Sequence, residues 1–209
     1  MIGRKRRSIE CHTRAFSLIE LLATISIVAL LAAILQPAVV EAKRAAIRES
    51  CQSNLRAIGA SLHLYTADYD DTYPAAVDEF AKENPEQIPS PHPPIGDIPM
   101  VTDVLLPFAG HSKRIFKCPS DVSPYSFLSE GIGPYGTWPS VFDFNGTSYK
   151  FISYSYYGRS ASKDDQSSLP LAHDSIPSWH SPYDNPYGYT PSRNFLFGDG
   201  HVKYRGLIE

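Results

Sequence analysis

A chain of 209 residues, 43% of them hydrophobic and 20% charged, supplies one domain of ordinary size plus an appendage and excludes a large multidomain enzyme. The 19 Lys and Arg against 22 Asp and Glu leave a net charge of −3, which excludes both global disorder and the basic excess of a nucleic-acid binder. The charge is unevenly placed: Arg4, Lys5, Arg6, Arg7 and Arg14 face only Glu10 in the first fifteen residues, and the remainder is net negative.

Residues 16–35 read FSLIELLATISIVALLAAIL, without Gly or Pro and with Glu20 as the single charge. A helix of that length covers about 30 Å, the hydrocarbon thickness of a bilayer. The basic cluster before it predicts a cytoplasmic N-terminus and export of everything after Pro37. The run is longer than the apolar region of a secretory signal peptide, although residues 38–42 contain small residues that a cleavage site would need. A plain signal anchor accounts for length and orientation but not for Glu20, because a carboxyl in lipid costs about 2.5–3.5 kcal/mol. Such an acid needs a partner.

Beyond Pro37 the apolar pattern changes period. Val40, Ile47, Cys51, Leu55, Ile58, Leu62 and Tyr65 form one stripe of a helix, with Glu41, Lys43, Arg44, Arg48, Glu49, Asn54 and Arg56 mostly off it. The membrane helix is therefore expected to continue into an amphipathic one. Pro37 removes a backbone donor and is expected to kink or locally loosen the helix without necessarily ending it, and Gly59 is a second weak point. The helix should stop near Ala67, before Asp68-Tyr69-Asp70-Asp71 and Pro74, having run about 78 Å from Phe16.

The stretch Arg14-Ala15-Phe16-Ser17-Leu18-Ile19-Glu20-Leu21-Leu22, with its basic leader and an apolar run that ends in Pro37, resembles the class III signal of type IV prepilins and type II secretion pseudopilins. In that family a membrane-embedded prepilin peptidase cuts before the Phe and N-methylates the new terminus. The resemblance implies cleavage between Ala15 and Phe16, methylation of Phe16, and assembly roles for Glu20 and Pro37, the fifth and twenty-second mature residues. Ala15 stands where the family normally has Gly. Processing would leave a positive amine on Phe16. In a growing filament the Glu20 carboxylate would pair with the amine of a neighbouring subunit and cancel two charges in an apolar setting.

From Asp68 onward a Pro-, Gly-, Tyr- and Ser-rich region of about 140 residues reads as a separate exported head. Seven prolines between Tyr73 and Met100 make most of that segment surface loop. A short helix is expected over 101–108 and strands over 114–117, 149–157, 194–197 and 201–204, with Gly198-Asp199-Gly200 as a hairpin turn between the last two. The expected fold class is α+β, a long helix packed on a small antiparallel sheet. The blocks around Cys51, TADYDDTYP, IFKCPSD and NFLFGDGHVKYRG resemble a bacterial subfamily of pilin-like proteins that ends in His, nine residues, then Asp-Gly; here Tyr189 occupies the His position.

Cys11 falls in the leader, which leaves Cys51 and Cys118 in an oxidising exported region where a disulfide is permitted, with two buried free thiols as the alternative. Asp68, Asp70, Thr72 and Glu79 have the 1, 3, 5, 12 spacing of a calcium loop, but Tyr73 sits where the turn needs Gly, so solvated acids at a helix end are the better reading. Calcium elsewhere in the head is what the pseudopilin resemblance allows, with Asp164, Asp165 and Asp199 as the available acids. His173, His180 and His201, with Asp174 and Asp184, lack metal-ligand or triad spacing and read as solvated loop residues. Gly131-x-Gly133 reads as a loop, and Asn145-Gly-Thr is a glycosylation sequon in spelling alone. Trp179, Tyr183, Tyr187 and Tyr189 offer an aromatic platform for carbohydrate or protein, although core packing explains such residues as well.

Together these readings describe a bacterial inner-membrane, single-pass protein with its head in the periplasm or on an extracellular filament. Its expected parts are a cleaved leader (1–15), a filament-core helix (16–36), an amphipathic helix (37–67) and a globular head (68–209). The expected function is a non-enzymatic pilus or pseudopilus subunit, without a required cofactor. Its expected partners are the prepilin peptidase, other pilins and an inner-membrane assembly platform, not nucleic acid. The alternative is a membrane-anchored binding module that forms no filament.

Overall fold

A computed structural model of the protein describes residues 17–78, 81–82, 94–121, 140–152, 157–162, 165–175 and 192–206. The chain divides into two compact units, Met1–Lys43 and Arg44–Glu209. Helix α1, Leu18–Asp68, begins in the first and supplies the spine of the second. Pro37 lies inside it and does not end it, and the helix stops one residue beyond the expected position. Asp70 and Asp71 then take left-handed φ of 50° and 56°, which closes the helix and turns the chain away.

In the second unit α1 lies against a four-stranded antiparallel sheet in the order β1 (Tyr149–Phe151), β2 (Pro170–Asp174), β3 (Ser192–Phe197) and β4 (Val202–Gly206). The fold is α+β, a long helix against a small antiparallel sheet, as expected from the periodicity of α1 and the C-terminal hairpin. Leu55, Ile58 and Leu62 of α1 are fully buried with Phe116, Tyr149, Phe151, Leu171 and Leu196. Each large apolar side chain removed from water in this way contributes about 1.5–3 kcal/mol. The apolar stripe is thus the packing face from Cys51 onward, while Val40 at its start is exposed.

Gly59, expected as a weak point, is instead a point of close approach. A Cβ there would lie 2.9 Å from Cδ1 of Leu196 and 3.6 Å from Cα of Gly200. The β3–β4 hairpin can reach the helix because this position has no side chain. Gly200, at φ 85°, and the bond from Gly200 N–H to the Phe197 carbonyl make the tight turn that Gly198-Asp199-Gly200 announces.

Other elements depart from the sequence pattern. Residues 114–117, expected as a strand, belong to a 3-10 turn, Lys113–Phe116, which buries Phe116 and leaves Lys113 and Arg114 exposed. The helix expected over 101–108 is a single turn, α2 (Val101–Leu105), after which Pro107 and left-handed Gly110 and His111 carry the chain through turns. The strand expected over 149–157 contains β1 only to Phe151; residues 153–156 lie outside the described residues and Tyr157 is in a turn. Two elements had no signal in the pattern: β2, and helix α3 (Val141–Asn145), capped by Ser140 and closed by left-handed Gly146.

Buried aspartates tie these short pieces together. Asp121 accepts the backbone N–H groups of Val141 and Phe142 and the Ser148 hydroxyl. Asp78 accepts the N–H groups of Ala81 and Phe151, which joins the long loop to β1. Asn194 donates to Asp174 from its backbone and side chain, and receives Gln52 Nε2 at 3.0 Å, which links β2, β3 and α1. Each bond made below water satisfies a group whose isolation would cost about 1–3 kcal/mol.

Candidate processing and assembly segment

The first unit is exceptional for what it leaves uncovered. Every described residue from Ser17 to Arg44 is exposed, including Leu18, Ile19, Leu21, Leu22, Ile25 and Ile27. This part of α1 has the length and apolar composition to cross a membrane, and none of the spanning window is buried by the rest of the chain. An apolar helix this long exposes far more than the scattered apolar surface of a soluble protein, so lipid or other helices must cover it.

The polar groups of the segment turn inward on its own backbone. Thr24 Oγ1 donates to the Leu21 carbonyl and Ser26 Oγ to the Leu22 carbonyl, both at 2.8 Å, which hides two hydroxyls from an apolar surrounding. Glu20 Oε2 accepts the Ser17 N–H at 3.1 Å. A carboxylate in the first turn, hydrogen-bonded to a free helix N–H, is favourably placed against the helix dipole. The same carboxylate therefore lies beside the residue that cleavage after Ala15 would make second in the chain. Ala15 and Phe16 lie outside the described residues. Pro37 deprives the carbonyl four residues earlier of its helix partner, a local loosening in an otherwise continuous helix.

In the second unit Cys51 of α1 and Cys118 are joined through their sulfurs, with Cα atoms 5.3 Å apart. Closing a loop of 67 residues in this way contributes about 4 kcal/mol by the chain-entropy argument. The bond fastens α1 to the 3-10 turn immediately before it.

Asp68 and Asp70 are exposed at the end of α1, Glu79 lies outside the described residues, and among the described residues no three His, Cys, Asp or Glu side chains form a group able to hold a metal ion. Asp165 is exposed and accepts Ser167, Asp199 is bound to His201 at the hairpin turn, and Asp164 is outside the described residues. Trp179, His180, Tyr183, Asp184, Tyr187 and Tyr189 are also outside them, as is the Gly131-x-Gly133 loop.

One titratable group was misread from sequence. His173 is not a solvated loop residue but a buried one, in β2 opposite Lys150 and Phe195. Its Nδ1 lies 2.8 Å from the Asp174 carbonyl, so this nitrogen carries the proton; Arg193 Nη1 at 3.4 Å is then a like-charged neighbour of any imidazolium. Burial above all, then Arg193 and Lys150, push the His173 pKa down to about 4. Burial pushes the Asp78 and Asp121 carboxyls up, against the N–H groups that favour their ionised forms.

Comparison with known proteins places the recognisable part at the N-terminus. A family described as the prokaryotic N-terminal methylation motif matches residues 12–35. No curated protein and no solved structure matches the chain. The match spans the end of the basic leader, Phe16, Glu20 and the whole apolar run 16–35. The match covers 24 of the 209 residues and makes this segment similar to the N-terminal signal of type IV prepilins and pseudopilins.

Proposed function

We propose that this protein is a subunit of a type IV pilus-like or type II secretion pseudopilus filament. Prepilin peptidase cuts between Ala15 and Phe16 and methylates Phe16, the apolar half of α1 waits in the inner membrane, and the head stands in the periplasm. An assembly platform then draws the helix into a filament with other pilins, where Pro37 gives the helix its point of adjustment. Residues 1–15, 16–36, 37–67 and 68–209 act as leader, filament core, linking helix and head.

The observation that carries this reading is an uncovered apolar helix with one carboxylate in its first turn. In lipid that carboxylate is costly; between packed helices it meets the amine of a neighbouring Phe16 and both charges are neutralised. Assembly is favoured because it relieves that cost, and the register of the helices is fixed because only one stagger does so.

Replacement tests the role of the acid. Glu20→Ala is expected to insert in the membrane and lose its leader normally while filament yield falls about tenfold or more, the equivalent of at least one charge-assisted contact. Normal filaments from that variant would refute the pairing.

A further inference from the structure

The flank of α1 that carries Ser50 and Asn54 borders a cleft of about 510 Å³ in the head. These two residues are four apart, hence neighbours on the helix surface, and form one wall. Lys113 and Arg114 of the 3-10 turn, Lys117 just beyond it and Phe142 of α3 form the rest. A cleft of this size lies in the range that holds a small ligand, and no carboxylate is among its lining residues.

The support is fixed from several directions. The Cys51–Cys118 bond holds the far end of the turn to α1, and Asn54 Nδ2 donates to the Lys117 carbonyl at 2.9 Å. The Ser148 N–H donates to the Phe116 carbonyl at 2.7 Å. Asp121 accepts the N–H groups of Val141 and Phe142, which ties α3 to the same stretch, and the Lys117 ammonium lies 5.1 Å over the Phe142 ring. The backbone that bears the cations is therefore set before a ligand arrives, which lowers the ordering cost of binding.

The charge of the cleft has no match within it. Lys113, Arg114 and Lys117 are exposed, and among the described residues none of them is in an ion pair. Asp121 attracts Lys117, but its carboxylate already accepts two N–H groups and the Ser148 hydroxyl. Asp103 and Asp143 line a second cleft that shares Lys113 and Phe142 with the first, whereas Arg114 and Lys117 belong to the first alone. Cations of one sign beside apolar walls focus the field into such a cleft and draw anions to it.

The number of cations decides the class of anion. One carboxylate neutralises one of the three. A phosphate monoester carries about −1.5 to −2 at neutral pH and offers three strong acceptor oxygens. A guanidinium such as that of Arg114 matches two such oxygens at once, and lysines meet the remainder as point charges. We infer that this cleft binds the phosphoryl group of a phosphate monoester, with the body of the ligand beside the Phe142 ring. A soluble phosphorylated saccharide and a phosphatidate headgroup both supply that chemistry. The inference is independent of the filament reading, because the cleft belongs to the head alone.

Inorganic phosphate is the first probe. Equilibrium dialysis of radiolabelled phosphate against the full-length protein in an uncharged detergent, at low ionic strength, should show saturable binding at about one ion per chain. Arg114→Gln should weaken it about tenfold and Arg114→Lys less, whereas Lys203→Gln, at an exposed cation on β4 outside the cleft, should leave it unchanged. Both side chains are exposed, and thermal unfolding of each variant checks that the head is intact. Absence of saturable binding, or an equal loss in Arg114→Gln and Lys203→Gln, would overturn the site. Displacement of the bound phosphate separates the sources. Glucose 6-phosphate acting alone assigns a soluble ligand, phosphatidate in the micelles acting alone assigns a lipid, and action by both shows that the phosphoryl group is what is recognised. Displacement by neither means an adventitious ion only and overturns the proposal.

Discussion

His173 shows how one side chain converts a fold into a pH dependence. Its folded pKa, about 4, lies below the ordinary value of 6.5, so the folded head binds the proton less readily than the unfolded chain does. The sign follows: stability from this group is complete above pH 6.5 and is lost as pH falls through that value toward 4, by up to about 3 kcal/mol. Asp78 and Asp121, whose folded pKa values are raised, act in the opposite sense and gain stability as pH falls. Chemical denaturation of the disulfide-bonded protein between pH 6.5 and 4 should therefore show His173→Gln losing less stability on acidification than the wild type. An identical slope in the two proteins would mean that His173 is not the group responsible. The sequence offered His173 as a loop residue because periodicity does not distinguish a buried strand of five residues from a turn when it opens on proline.

At the scale of elements, the long helix was legible and the short ones were not. Cys51, Leu55, Ile58 and Leu62 repeat at helical spacing over several turns, so their burial against a sheet could be read directly. The β3–β4 hairpin was equally plain, because Gly198-Asp199-Gly200 separates two alternating runs. The 3-10 turn Lys113–Phe116 looked like a strand since its one buried residue, Phe116, sits among long polar side chains that suit either conformation. Asp121 was invisible as a tie because its partners, Val141, Phe142 and Ser148, are at least twenty residues distant. The processing signal was readable for the opposite reason: Phe16, Glu20 and the apolar run are contiguous. Gly59 joins helix to hairpin and gives a test of that packing. Gly59→Ala should lower stability by about 1 kcal/mol, the cost of displacing Leu196 outweighing the gain in helix propensity. Leu196→Val removes the clashing atom, so thermal unfolding should show a smaller loss for the double variant than the sum of the single ones. Strict additivity would mean that helix and hairpin do not meet at this point.

The whole molecule joins an exposed apolar helix to a packed head. One unit is an apolar helix whose polar groups are turned onto its own backbone, and the other is a crosslinked α+β head in which aspartates and short elements replace a large core. In the proposed reading the disulfide lies in an oxidising compartment, the basic leader lies in the cytoplasm, and the chain crosses the membrane once between them. The proposed filament subunit would need both parts, with the leader removed to release the Phe16 amine for Glu20. The state of that terminus is therefore the most direct test. Intact mass and N-terminal sequencing of the protein from its native membrane should give a chain that starts at N-methylated Phe16, whereas a chain retaining Met1 and the leader would contradict processing and leave a static membrane anchor.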